Sequence, residues 1–359
     1  MAKMPKRRLE KYRALDKEAL NFVNERMTRF ISRASKAGVT FDTAGYYPQS
    51  GFFQAPHKQD LSDVDISIVG SPLDLGVIGC VGTRHGPEGI REMSHRTGGM
   101  MHERSAEVPL EMCNIIDYGD VSWTATHLAA RLDDIACVFE KLGKAGVSTL
   151  NCGGEHTTSY GVLKGLSKAY DDEAFSLIHI DAHCDTMASW GGDVVNDGSV
   201  FRQAVLQGFI DPEKTVQIGM HGRCDFLWDF SRATDMLIIT ADEVFENGVS
   251  YVMDKIRERI GVQDKTYFSF DVDGLCSTEM MATAGPEPFG LTPRQVRDII
   301  YRSREFNIIG ADMVEFNPNR DPNQGDTMLA TGLFWELCSM LSHVRHRNNG
   351  GIDNPTIWT

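Results

Sequence analysis

The chain has 359 residues, 42% hydrophobic and 24% charged, enough for one large α/β domain or two ordinary ones around a sizeable core. Its 50 acidic residues against 36 basic ones give a formal charge of -14, which argues against nucleic acid or an anionic membrane as partner and suits cationic ligands better. The sequence lacks the roughly 18 to 20 uninterrupted apolar residues of a membrane span and an N-terminal apolar signal core, so the expected location is cytoplasmic; eight cysteines without C-x-x-C spacing read as reduced thiols.

Residues 1–60 begin basic (Lys3, Lys6, Arg7, Arg8), pass through a helix-like stretch near 15–37, and become Gly, Pro and aromatic rich around 46–56. They read as an N-terminal arm. An apolar run at 64–70 ending in Ser71-Pro72 predicts a buried strand emptying into a loop. Three- and four-residue apolar spacing predicts helices at 86–95, 126–145, 158–170, 248–261, 292–305 and 327–343. Further strand-like runs fall at 147–152, 175–181, 215–219, 236–240, 266–271 and 307–315. This alternation predicts a three-layer, doubly wound, mainly parallel α/β sheet. With no repeat or linker after residue 60, one domain covers 61–345 and a tail covers 346–359.

Open parallel sheets gather ligands at the carboxyl ends of their strands. Three such ends carry metal-binding chemistry: Glu155 and His156; Asp181, His183 and Asp185; Asp271 and Asp273. A lone Asp at a strand end most often caps a turn. Three clusters at strand ends point instead to two imidazoles and four carboxylates around a pair of divalent ions, roughly 3.5 Å apart. Alternation along extended segments is expected to aim each cluster to one side.

The chain resembles the ureohydrolases, the arginase and agmatinase superfamily, from about Asp63 to about Leu341. The matching segments are GTRHGPEGIR (82–91), GGEH (153–156), DAHCDT (181–186), SFDVD (269–273), GPEPFGLT (285–292) and ADMVEFNP (311–318). The resemblance implies an arginase-like fold and a metal-activated hydroxide that cleaves a guanidinium-type C–N bond. It implies two divalent ions, Mn²⁺ or Ni²⁺, one held by His156, Asp181, Asp185 and Asp271, the other by Asp181, His183, Asp271 and Asp273. Asp185 would orient the nucleophile and hold its proton. Glu287, inside GPEPFG, would accept the guanidinium fork. The resemblance also implies a trimer or hexamer.

Several positions depart from the family pattern. Asp197 stands where many relatives carry a histidine credited with proton shuttling or substrate contact. Asp197, Cys184 and His221 are candidate replacements, although His221 reads better as a capping or packing residue. Asn196 and Trp190 are candidate substrate contacts, with Trp190 offering a ring face to an alkylated or delocalised cation. Trp190 occurs where arginases use Asn and Ser for an α-amino acid head group, which disfavours arginine. Gly274-Leu275-Cys276 also alters the substrate mouth. These changes favour guanidine, guanidino acids or biguanides such as metformin. Agmatinase or guanidinobutyrase proper, a histone-deacetylase-like amide hydrolase, and a noncatalytic subunit paired with a related chain are the alternatives.

Overall fold

In the computed structural model the described residues are 4–20, 51–97, 101–189, 192, 194–222 and 225–351. Among them, eight strands form one sheet: β1 (Ile66–Ser71), β2 (Ile115–Asp120), β3 (Ser148–Gly153), β4 (Phe175–Ile180), β5 (Ile210–Met220), β6 (Leu237–Thr240), β7 (Lys265–Asp271) and β8 (Asn307–Val314). Their order is β2-β1-β3-β8-β7-β4-β5-β6, and every neighbouring pair is parallel.

Strand β4 shows why the sheet needs cover on both faces. It reads FSLIHI and is buried at every position. Phe175 and Leu177 enter one apolar cluster, while Ile178 and Ile180 enter the other, as two-residue periodicity requires. Helices α3 (Leu128–Lys144), α4 (Thr157–Ala169) and α5 (Val200–Leu206) supply the first cluster through Phe139, Leu163 and Phe201. Helices α2 (Gly86–Thr97), α6 (Ala241–Arg259), α7 (Pro293–Ser303) and α8 (Gly325–Asn348) supply the second through Ile90, Met253, Ile299 and Phe334. The expected three layers are therefore present. The remaining long helix is α1 (Lys6–Leu20), and no described helix is long and apolar enough to cross a membrane.

Three local differences have physical causes. Strand β2 was not predicted, because only Ile115 and Ile116 are consecutive apolar residues; the rest, DYGD, includes a buried Asp117 held by Arg91 Nε at 2.8 Å and the Phe52 amide at 3.1 Å. The predicted helix at 248–261 begins seven residues earlier, at Ala241, because Thr240 and Glu243 form a capping box; Gly248, at φ 77°, interrupts it. Residues 21–50 lie outside the described residues, but Phe52 and Phe53, at the end of the segment read as an arm, are fully buried. Phe53 packs on Phe334 and Trp335 with ring centroids 5.8 and 4.9 Å away.

Candidate metal centre

The three sequence clusters leave β3, β4 and β7, which share a sheet edge with β8. After β3, Gly154 passes so close to Leu73 that a Cβ there would lie 1.9 Å from the Leu73 carbonyl oxygen. This close passage precedes His156, just before α4. After β4, residues 181–185 form a bent turn in which Asp185 adopts φ 50°. A non-glycine residue there costs about 1–2 kcal/mol, a strain typical of functional sites. After β7, a single turn, Val272–Gly274, carries Asp273, whose amide donates to Asp271 Oδ1 at 2.8 Å. Turns, and not the expected extended alternation, bring the side chains to one side.

All six predicted ligands meet in two half-sites. His156 Nδ1 lies 2.8 Å from Asp185 Oδ2 and 3.3 Å from both Asp181 Oδ2 and Asp271 Oδ2. His183 Nδ1 lies 3.2 Å from Asp273 Oδ2 and 3.5 Å from Asp181 Oδ1. Asp181 thus turns one oxygen to each imidazole. His156 Nδ1 is buried without a satisfied hydrogen bond, an arrangement that fits a ligand atom aimed at a cation. The donor set of imidazoles and carboxylates suits divalent ions such as Mn²⁺ or Ni²⁺.

Deeper residues, which sequence reasoning missed, orient these ligands. Asp312 Oδ2 accepts from Tyr267 at 2.7 Å and from Ser159 at 2.6 Å, while Asp312 Oδ1 accepts from Ser269 at 2.8 Å. Ser269, its proton committed to Asp312, accepts from His156 Nε2 at 3.0 Å. This relay fixes the proton on Nε2 and leaves Nδ1 as the lone-pair atom. The Gln217 amide donates to His179 Nδ1 at 3.2 Å, so His179 Nε2 donates to Asp181 Oδ2 at 2.7 Å. His179, with both nitrogens engaged, positions Asp181. The signal was present in the alternation of His179 with Asp181, but a histidine within a strand reads first as core.

The electrostatics favour a cation. Burial, then the Asp181 charge, raises Asp185 to about 7. Burial, then Asp273 and Asp181, holds Asp271 well above the usual carboxylate range. Burial and Asp181 raise Asp273 as well. Carboxylates crowded in this way repel one another, and divalent charge relieves that repulsion.

A cavity of about 430 Å³ opens onto this cluster, lined by His183, Asp185, Asp271, Asp273, Asp197 and Glu315, with apolar Ile78, Met187, Leu227, Trp228 and Ala284. Glu315 follows β8 at φ 63°. Its Oε1 accepts from the His156 amide at 2.7 Å, whereas Oε2 is buried without a hydrogen-bond partner. Sequence reasoning quoted its segment but did not single it out. Glu287 is not among the lining residues; its Oε1 lies 3.9 Å from His183 Nε2, the ring nitrogen facing away from the cluster.

Asp197 edges the cavity, but its oxygens accept from the amides of Ile78 and Gly198, both at 2.8 Å. Asn196 is buried as the cap of the following turn. Trp190 lies outside the described residues; among the described residues Trp228 lines the cavity. Burial pushes the Cys184 thiol up, which weighs against a neutral-pH shuttle role. His221 Nδ1 sits 2.6 Å from the Gly219 carbonyl, in keeping with the capping reading. Glu155 is turned to Gly76 and Thr157, joining the loop after β1 to the start of α4.

Residues 64–339 match the Arginase family. An agmatinase from Chromobacterium violaceum is 32% identical over 300 residues, spanning 84% of this chain and 90% of the relative. The mitochondrial guanidino acid hydrolase of Homo sapiens is 31% identical over 291 residues, spanning 80% of this chain and 82% of the relative. A crystal structure described as a hypothetical agmatinase from Burkholderia thailandensis superposes with a TM-score of 0.77 at 28% identity, covering 86% of this chain and 94% of that one. The chain belongs to the Arginase family, within the ureohydrolase superfamily, and is a hydrolase by class.

Proposed function

We propose that this chain hydrolyses a guanidinium-type C–N bond, releasing urea or a urea-like product with an amine or ammonia. Two divalent cations, Mn²⁺ or Ni²⁺, would be held by His156, Asp181, Asp185 and Asp271 on one side and by Asp181, His183, Asp271 and Asp273 on the other. The observation that carries this reading is Asp181, with its two oxygens 3.3 and 3.5 Å from two different imidazole Nδ1 atoms. Such a pair of ions supplies the charge that makes water nucleophilic near neutral pH.

The chain's own residues account for the rest. Glu315 Oε2 accepts an N–H of the guanidinium and orients its planar carbon toward the cluster. Asp185, at the cavity wall, holds the proton that passes from the attacking water to the departing nitrogen. Glu287, beside His183 Nε2, fixes that ring and acts on the substrate through it. Asp197 holds the loop at Ile78, so its contribution is the shape of the wall. Convergence of all six ligands supports catalysis over a noncatalytic assembly role. The names of the relatives keep agmatine and guanidinobutyrate as the second reading. Family membership supports an oligomer; a trimer or hexamer, with pairing to a related subunit as the alternative, is the proposed form, which light scattering on the native protein checks.

The test is turnover. Protein loaded with Mn²⁺ or Ni²⁺ releases urea or a urea-like product, with an amine or ammonia, from at least one of guanidine, agmatine, guanidinobutyrate and dimethylbiguanide, and Asp181→Asn loses bound metal and turnover together. Silence across the panel from metal-replete protein rejects the reading.

A further inference from the structure

The turn after β5 ties together two parts of the centre that face each other. The amides of His221 and Gly222 both donate to the Ala182 carbonyl, at 3.0 and 2.9 Å, which anchors the turn between Asp181 and His183. Gly222 lies flat on the His183 ring, where a Cβ would stand 2.6 Å from Cδ2 and 3.1 Å from Nε2. That Nε2 is the atom 3.9 Å from Glu287 Oε1. The His221 ring spans from this turn to the loop that carries Glu287. Its Nδ1 donates to the Gly219 carbonyl at 2.6 Å, which orients the ring and leaves the lone pair on Nε2. Nε2 is buried and has no hydrogen-bond partner. The outer edge of the ring lies against Gly290, where a Cβ would stand 2.6 Å from His221 Cε1 and 2.7 Å from Nε2. With no bond at that edge, the ring acts on the loop by contact alone. The loop is stiff at its base: the Cys276 amide donates to the Leu291 carbonyl at 2.9 Å, the Leu291 amide to the Gly274 carbonyl at 3.0 Å, and the Ser277 amide to the Glu287 carbonyl at 2.9 Å. It also gives Ala284 and Gly285 to the cavity wall.

We propose that His221 is a positioning residue, whose imidazole spaces the Glu287 loop from the turn behind His183 and so sets Glu287 at its distance from that ring. The inference rests on the guanidinium-hydrolase reading above and adds a residue to it. Packed interiors transmit a change of one or two atoms, because a void leaves its lining without contacts. Without the outer edge of the ring, Gly290 loses its backing, the loop moves toward the vacated place, and the Glu287 carboxylate shifts with it. His183 keeps its place, because the turn is held to Ala182 by backbone bonds that no side chain at 221 alters. The effect of His221 therefore reaches the reaction through Glu287 and not through the metal ligands. Two substitutions separate the ends of the imidazole. An asparagine amide falls near the Nδ1 position and keeps the bond to Gly219, whereas a glutamine amide reaches the Nε2 position and backs Gly290.

The test uses the full-length, metal-loaded chain and the guanidinium compound of the panel above that the wild type turns over fastest. His221→Ala and His221→Asn are expected to lower kcat/KM roughly tenfold, within the coupling range of residues in one contact chain, while His221→Gln stays within about twofold of wild type. Bound metal per chain is unchanged in all three. In a Glu287→Gln background, His221→Ala costs less than roughly twofold more, because the carboxylate it places is already gone. Should His221→Ala fail to fold, the Asn and Gln variants carry the same comparison. Equal loss in both backgrounds makes the ring a general support and overturns the proposal. So does activity that follows Asn rather than Gln, or metal lost in step with turnover. Full activity in every His221 variant overturns the inference alone. No turnover by the wild type with any guanidinium compound removes the hydrolase reading, and this inference with it.

Discussion

Replacing Ser269 with alanine removes the one contact that fixes the proton on His156 Nε2, without touching a predicted metal ligand. The hydroxyl sits 3.0 Å from that nitrogen and 2.8 Å from Asp312 Oδ1, and both neighbouring side chains are fully buried. The imidazole is then free to rotate or to carry its proton on Nδ1, beside Asp185, and either change must be reversed before a cation binds. An N–H left without an acceptor costs about 1–3 kcal/mol, and loss of a partner to a metal-binding histidine typically lowers metal affinity about 10–100-fold. Asp312→Asn should act the same way, because an amide cannot accept all three hydroxyl protons in their present geometry. Chelator competition with Mn²⁺ measures the affinity, and unfolding of the metal-free protein separates it from stability. Dissociation constants within twofold of wild type in both variants would refute the relay.

Glu315→Gln should retain bound metal yet lose roughly 10–150-fold in kcat/KM, the value of about 1.5–3 kcal/mol for a hydrogen bond to a charged group. Glu287→Gln should cost less, because it acts through His183; a larger loss from Glu287→Gln would reverse the two roles. At the base of α8, burial raises the Glu107 carboxyl, but hydrogen bonds from His343 and Ser105 and the Arg304 charge bring it down to about 2 from an ordinary 4.5. A depressed folded value means stability that is present above pH 4.5 and lost as pH falls toward 2, about 3 kcal/mol in all. Glu107→Gln should therefore flatten the decline in unfolding free energy over that interval, measured by urea titration at several pH values; an unchanged slope rejects the assignment. Phe53→Ala should cost about 3–5 kcal/mol, as expected for an aromatic ring lost from a core, whereas a cost below 1 kcal/mol would return that segment to the status of a surface arm.

The sequence alone carried the alternation of apolar runs and helical periods, and with it the layered parallel sheet. This was legible because strands buried on both faces read as near-continuous apolar runs, as FSLIHI at 175–180 does with Ser176 and His179 as its polar members. It also carried the six candidate ligands, whose residue types and short spacings stand directly after predicted strands. It could not carry strand order. Only the tertiary structure sets β8 between β3 and β7, which brings Glu315 to the cavity, Asp312 beneath Ser269, and Phe53 against α8. Those roles depend on neighbours more than 40 residues away in every case, with 43 between Ser269 and Asp312 and 159 between His156 and Glu315. Local periodicity records which face of an element is buried, while the identity of what lies against it is decided when the sheet assembles.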